Sequence, residues 1–121
     1  MRAYWRLPEP LQIAAYCAAA EYAWPREQAL LVIQWLTGTG SPVIGVEVWL
    51  ATEPGPTIPT PLVHTWESDS QRRSETRAAF VQRVNAEAAR YVDAFAWHPE
   101  DRAHSAEVPY FNLTVSEEHD A

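Results

Sequence analysis

The side chains with chemistry to offer are four histidines, one cysteine and sixteen carboxylates, and none falls at a spacing that reads as a reaction centre. His98, Asp101 and His104 come nearest to a metal-binding set. They lie in one polar stretch with no periodicity to aim them together, and no HExxH occurs. His119 belongs to the C-terminal tail and His64 to an expected strand. Cys17 is the sole cysteine, which excludes an intrachain disulfide and a cysteine-based zinc site. It shares an apolar stripe with Ile13, Tyr16 and Ala20 and reads as a small buried hydrophobe. Glu117 and Glu118 sit in a tail that cannot hold the geometry of acid–base catalysis. There is no nucleophile elbow, phosphate loop or dinucleotide fingerprint. Arg72, Arg73 and Arg77 are the only basic cluster and read as a solvated helix start. No catalytic residue, metal ligand or cofactor is expected, and the chain reads as a non-enzyme.

Glu47 is the carboxylate with an informative setting. In Pro42-Val43-Ile44-Gly45-Val46-Glu47-Val48-Trp49-Leu50, one alternating face is Ile44, Val46, Val48 and Leu50, and the other is Val43, Gly45, Glu47 and Trp49. A strand with one wholly aliphatic face is half buried and held in register by it. The opposite face then presents a carboxylate between a glycine that permits close approach and a tryptophan of the kind that anchors interfaces. Two roles remain open for Glu47: a paired acid that fixes the sheet, or a recognition group. Gly45, Glu47, Trp49 and Trp66 are the candidate partner-binding residues. A small enzyme using Glu47 with a histidine would require a polar pocket joining Glu47 to His64.

The elements that must position these residues follow from pattern. Residues 1–9 lead in, with Tyr4, Trp5 and Leu7 packing on the core. Leu11 to Tyr22 is alanine-rich and reads as a first helix after Pro10. Pro25 to Thr37 is a second, with Ala29, Leu30, Ile33 and Leu36 as its stripe and Gly38 and Gly40 as its stop. The strand at 42–50 follows. Residues 52–61 form a proline-rich loop that cannot continue a ladder. Leu62 to Trp66 is a second strand, antiparallel to the first, and Glu67 to Arg73 reads as polar and mobile. Ser74 caps a long helix to Phe95, with Val81, Val84, Ala88, Tyr91 or Val92, and Phe95 on its buried side and Phe80 flanking. Pro109 to Val115 is a third strand, with Phe111, Leu113 and Val115 inward, and residues 116–121 are an acidic frayed tail.

At 121 residues, 47% of them apolar, the chain is long enough for a core of its own. The fold class expected is α+β: a single domain, 1–121, with a small, mostly antiparallel three-stranded sheet packed against about three helices. A formal charge of −7 with no lysine excludes nucleic acid and anionic membranes as natural partners and favours a basic protein such as a nuclease. No apolar run approaches a membrane span and the N-terminus lacks the form of a leader, so a cytoplasmic protein is expected.

Trp24-Pro25-Arg26-Glu27-Gln28-Ala29-Leu30, then a helix, then Pro42-Val43-Ile44-Gly45-Val46-Glu47-Val48-Trp49, resembles the immunity protein 40 family of bacterial polymorphic-toxin immunity proteins. The likeness spans about residues 22–115. Val46 stands where the pattern has a second glycine, and the proline-rich loop is longer than its counterpart. The resemblance implies an antidote that binds a cognate toxin domain stoichiometrically, with no catalytic residues. A small adaptor module in another pathway would share the same composition.

Overall fold

The computed structural model describes residues 2–18, 21–52, 55–57, 64–97 and 108–116. A 3-10 turn at Arg2–Arg6 precedes α1 (Glu9–Ala14), β1 (Tyr16–Ala18), β2 (Glu21–Pro25), α2 (Arg26–Gly38), β3 (Val43–Thr52), β4 (Gly55–Thr57), β5 (Thr65–Glu67), α3 (Arg77–Ala94) and β6 (Pro109–Val115). The domain is α+β, as expected, but its sheet is larger than three strands. Its order is β1-β2-β6-β3-β4, with β5 also on the outer edge of β3. There are thus five strand positions, the last shared by two short segments, and every pairing is antiparallel.

The extra strands come from the segment expected as the first helix. Glu9–Ala14 is helical, with Pro10 at its first turn, but Ala15 turns extended and the chain enters a β1–β2 hairpin. Alanine propensity is a weak prior, and here tertiary pairing overrides it. Ala23, Trp24 and Pro25 align with Asn112, Phe111 and Tyr110 of β6. The Trp24 indole N–H donates to the Leu11 carbonyl at 2.8 Å, so a fully buried tryptophan carries no orphaned donor. Cys17, on β1, is exposed rather than buried. The proline-rich stretch departs similarly: Gly55, Pro56 and Thr57 pair with Thr52, Ala51 and Leu50. Proline is tolerated there because β4 occupies the outermost strand position.

α2 runs nearly as its pattern requires. Its end is closed by Gly40 at φ 77°, a left-handed residue that lets Ser41 N–H donate to the Leu36 carbonyl at 2.9 Å. α2 then returns the chain to β3, with β6 later inserted between β2 and β3. Both long helices lie on one face of the sheet. Trp24, Val46, Val48, Phe111 and Leu113 meet Val32, Ile33 and Leu36 of α2 and Ala88 and Val92 of α3 in one core. Each such aliphatic side chain taken out of water contributes about 1.5–3 kcal/mol.

Two polar devices fasten this layer. Asn85, 1% exposed in α3, accepts from Val43 N–H at 2.8 Å and donates to Thr37 Oγ1 and the Ser41 carbonyl. It ties the end of α2, the link and the start of β3 to α3. Arg83 donates to both Glu75 oxygens and to Asp69 Oδ1, with Glu87 Oε2 at 3.9 Å. The stretch after β5, expected to be mobile, is therefore anchored to the helix. The cap of α3 is Thr76, whose hydroxyl accepts from Ala79 N–H, and not Ser74.

Candidate functional site

With α2 and α3 on one face of the sheet, the candidate site lies on the other. Its residues follow from register. Glu47 of β3 is paired with Asn112 of β6 on one side and Thr65 of β5 on the other. One row further, Gly45 is paired with Thr114 and with Glu67. Asn112 is also paired with Ala23, so Glu21, two residues earlier on β2, points to the same face. These residues line a groove of about 620 Å³.

Beside Trp49, which lines the groove, Tyr110 of β6 lies opposite it and Tyr16 meets Tyr110 edge to face at 5.4 Å. Burial, then the neighbouring Tyr110, push the Tyr16 phenol above its ordinary pKa, and its hydroxyl has no hydrogen-bond partner among the described residues. Glu21 and Glu67 are exposed on either side of Thr114 and Gly45. Glu47 is half-buried, one oxygen accepting from the Trp49 indole at 2.8 Å. Asn112, 5% exposed, donates to Glu21 Oε1 at 3.2 Å and to the Tyr22 carbonyl at 2.8 Å.

Gly45 is spacious rather than strained. A Cβ built there would meet Thr114 Cβ at 3.5 Å and the Trp66 carbonyl at 3.7 Å, ordinary contact distances. The sheet does not require a glycine at this position. What its missing side chain provides is open room on the groove floor, and that room is an opportunity for a ligand.

The four candidates are brought together, in roles that differ from those expected. Glu47 and Gly45 face the groove, as the alternation indicated. Trp49 is on the groove side but only 2% exposed, so it props Glu47 instead of offering an anchor surface. Trp66 is paired with Val46, and its half-buried ring packs against the core. The alternation itself breaks at its start. A register shift between Val43 and Gly45 buries Val43 and leaves Ile44 36% exposed, the reverse of the expected faces. Glu21, Asn112, Thr65 and Glu67 were not singled out by sequence reasoning. Only Asn112 and Thr114 carried a signal, their outward positions in the 109–115 alternation.

Chemically, the groove offers acceptors. Among the described residues, three carboxylates line it and no arginine does. His64 lies elsewhere: its ring meets Phe95 at 5.4 Å and Trp97 at 5.9 Å, and it lines a separate cavity with Tyr91. Glu47 and His64 therefore do not share a pocket. No group of three or more metal-ligating side chains converges among the described residues, and His98, Asp101, His104 and His119 lie outside them. No described helix is long and apolar enough to cross a membrane. No protein-family model, curated protein or solved structure matches the chain.

Proposed function

We propose that this protein is an immunity protein, a stoichiometric binder that neutralises a basic toxin domain in the cytoplasm of the cell that carries both. The observation that carries the reading is the groove on the face of the sheet opposite α2 and α3. It is lined by Glu21, Glu47 and Glu67, with no arginine among the described lining residues. A concave acidic surface attracts a basic partner and disfavours nucleic acid. The charge of −7 and the likeness of residues 22–115 to toxin-immunity proteins support the same reading.

The direct test is protection. The toxin domain encoded by the neighbouring upstream gene, expressed alone, should arrest growth of a bacterial host, and co-expression of this chain should restore it. Growth arrest that persists despite confirmed co-production of both folded proteins would contradict the reading.

A further inference from the structure

The groove wall formed by β5 is built unlike the rest of the sheet. From His64 to Glu75 no side chain is buried: His64, Trp66, Ser68 and Glu75 are half-buried and the others exposed. β3 and β6, by contrast, bury Val46, Val48, Phe111 and Leu113. The segment joins the sheet by a short ladder on the outer edge of β3. There Ser68 N–H donates to the Ile44 carbonyl at 3.1 Å, and Val48 N–H to the His64 carbonyl at 3.0 Å. Two half-buried rings add to it, Trp66 on the core and His64 on Phe95 and Trp97. Past the ladder, Arg83 of α3 gathers the chain. It donates to both Glu75 oxygens at 2.7 and 2.8 Å, to Asp69 Oδ1 at 2.6 Å and to the Ser70 carbonyl at 3.4 Å. The Arg83 and Glu75 side chains are only 16% and 11% exposed, so water and salt screen their contact weakly.

A segment with few buried apolar contacts and a solvent-exposed ladder opens at a lower free energy than the fold as a whole. We propose that residues 64–75 form a strap that lifts off the edge of β3 as a unit while the core of sheet, α2 and α3 stays folded, and that Arg83 is its latch. Thr65, Trp66 and Glu67 line the groove, so opening removes one of its walls and bares the backbone of Gly45, Val46 and Glu47. The state of the groove is thereby set by Arg83, a side chain that does not line it. Asn85 marks the boundary of the moving part. Its bonds to Val43, Thr37 and Ser41 all lie outside the strap and survive the opening. The strap is a property of the fold and does not depend on what the groove binds.

Native-state hydrogen exchange of the full chain, read amide by amide, tests this without a partner. The Val48 and Ser68 amides report on the strap and the Val84 amide, inside α3, on the core. In the native chain the two strap amides should be protected at least about tenfold less than Val84. Their exchange should also respond less to low concentrations of urea, because the opening exposes little surface. Asn85→Ala, which weakens the core alone, should speed exchange at Val84 and leave Val48 and Ser68 unchanged. Arg83→Met should speed exchange at Val48 and Ser68 by roughly tenfold or more. Equal protection and equal urea response of strap and core amides in the native chain would overturn the inference with no variant needed. Strap amides that quicken in Asn85→Ala as much as Val84 does would overturn it too, since the strap would then open only with the whole fold. Strap amides indifferent to Arg83→Met would remove Arg83 as the latch.

Discussion

At the scale of single residues, Glu47 and Trp49 act as one unit. The indole is almost fully buried and its donor has one recorded acceptor, Glu47 Oε1. Removing that acceptor leaves a buried N–H unsatisfied, at a cost of about 1–3 kcal/mol. Glu47→Ala is therefore expected to lower the melting temperature by several degrees and to lose partner affinity as well. Glu47→Gln should lose affinity with the melting temperature nearly unchanged, because the amide oxygen still accepts. Paired thermal melts and affinities of the two variants separate recognition from support, and an equal stability loss in both would assign Glu47 to the scaffold alone. Asn85 has the opposite profile, since it lies on the helix side, away from the groove. Asn85→Ala strands the Val43 N–H and removes two further bonds, an expected loss of about 2–3 kcal/mol in a denaturant titration. Toxin affinity measured on the fraction still folded should not change.

At the scale of elements, the Arg83 cluster gives the loop after β5 a pH dependence. The hydrogen bonds from Arg83, and then from the Arg72 backbone, hold the Glu75 carboxyl down at about 2, and Arg83 also lowers Asp69. A carboxylate with a depressed folded-state pKa contributes its stability fully above the ordinary value of 4.5 and loses it as the pH falls toward about 2. The melting-temperature gap between the native chain and Arg83→Met is expected to narrow as the pH is lowered from about 5 to about 2. A gap that stays constant over that window would show that the carboxylates do not carry the anchorage.

The same scale shows what the sequence could and could not reveal. α2, α3 and β6 were legible because each has a strong period on one face, and β6 matches its expected bounds, Pro109–Val115. The β1–β2 hairpin was not. Its sequence, Tyr16-Cys17-Ala18 and Glu21 to Pro25, has no strand alternation of its own, and β2 is held by pairing with β6, some ninety residues away. The groove was half legible for the same reason. Local alternation placed Gly45 and Glu47 on the open face, while Glu21 and Glu67 join them only through the cross-strand register. Asn85 was invisible as a fastener, because nothing local distinguishes it from a polar residue on a solvated helix face.

At the scale of the whole molecule, α2 and α3 cover one face of the sheet and an acidic groove lies on the other, within a chain of net charge −7. Long-range attraction of that sign speeds encounter with a basic protein and is screened by salt, whereas desolvated contacts within the groove mainly set how slowly the complex dissociates. The central claim is that this chain binds a basic toxin domain one to one through that groove. It is tested most directly by calorimetric titration against the toxin domain of the neighbouring upstream gene, at low and at high salt, with the native chain and Glu47→Gln side by side. One-to-one binding that weakens with salt and drops sharply for Glu47→Gln is the expected result. No binding to the folded toxin domain, or binding indifferent to both salt and Glu47→Gln, would contradict it.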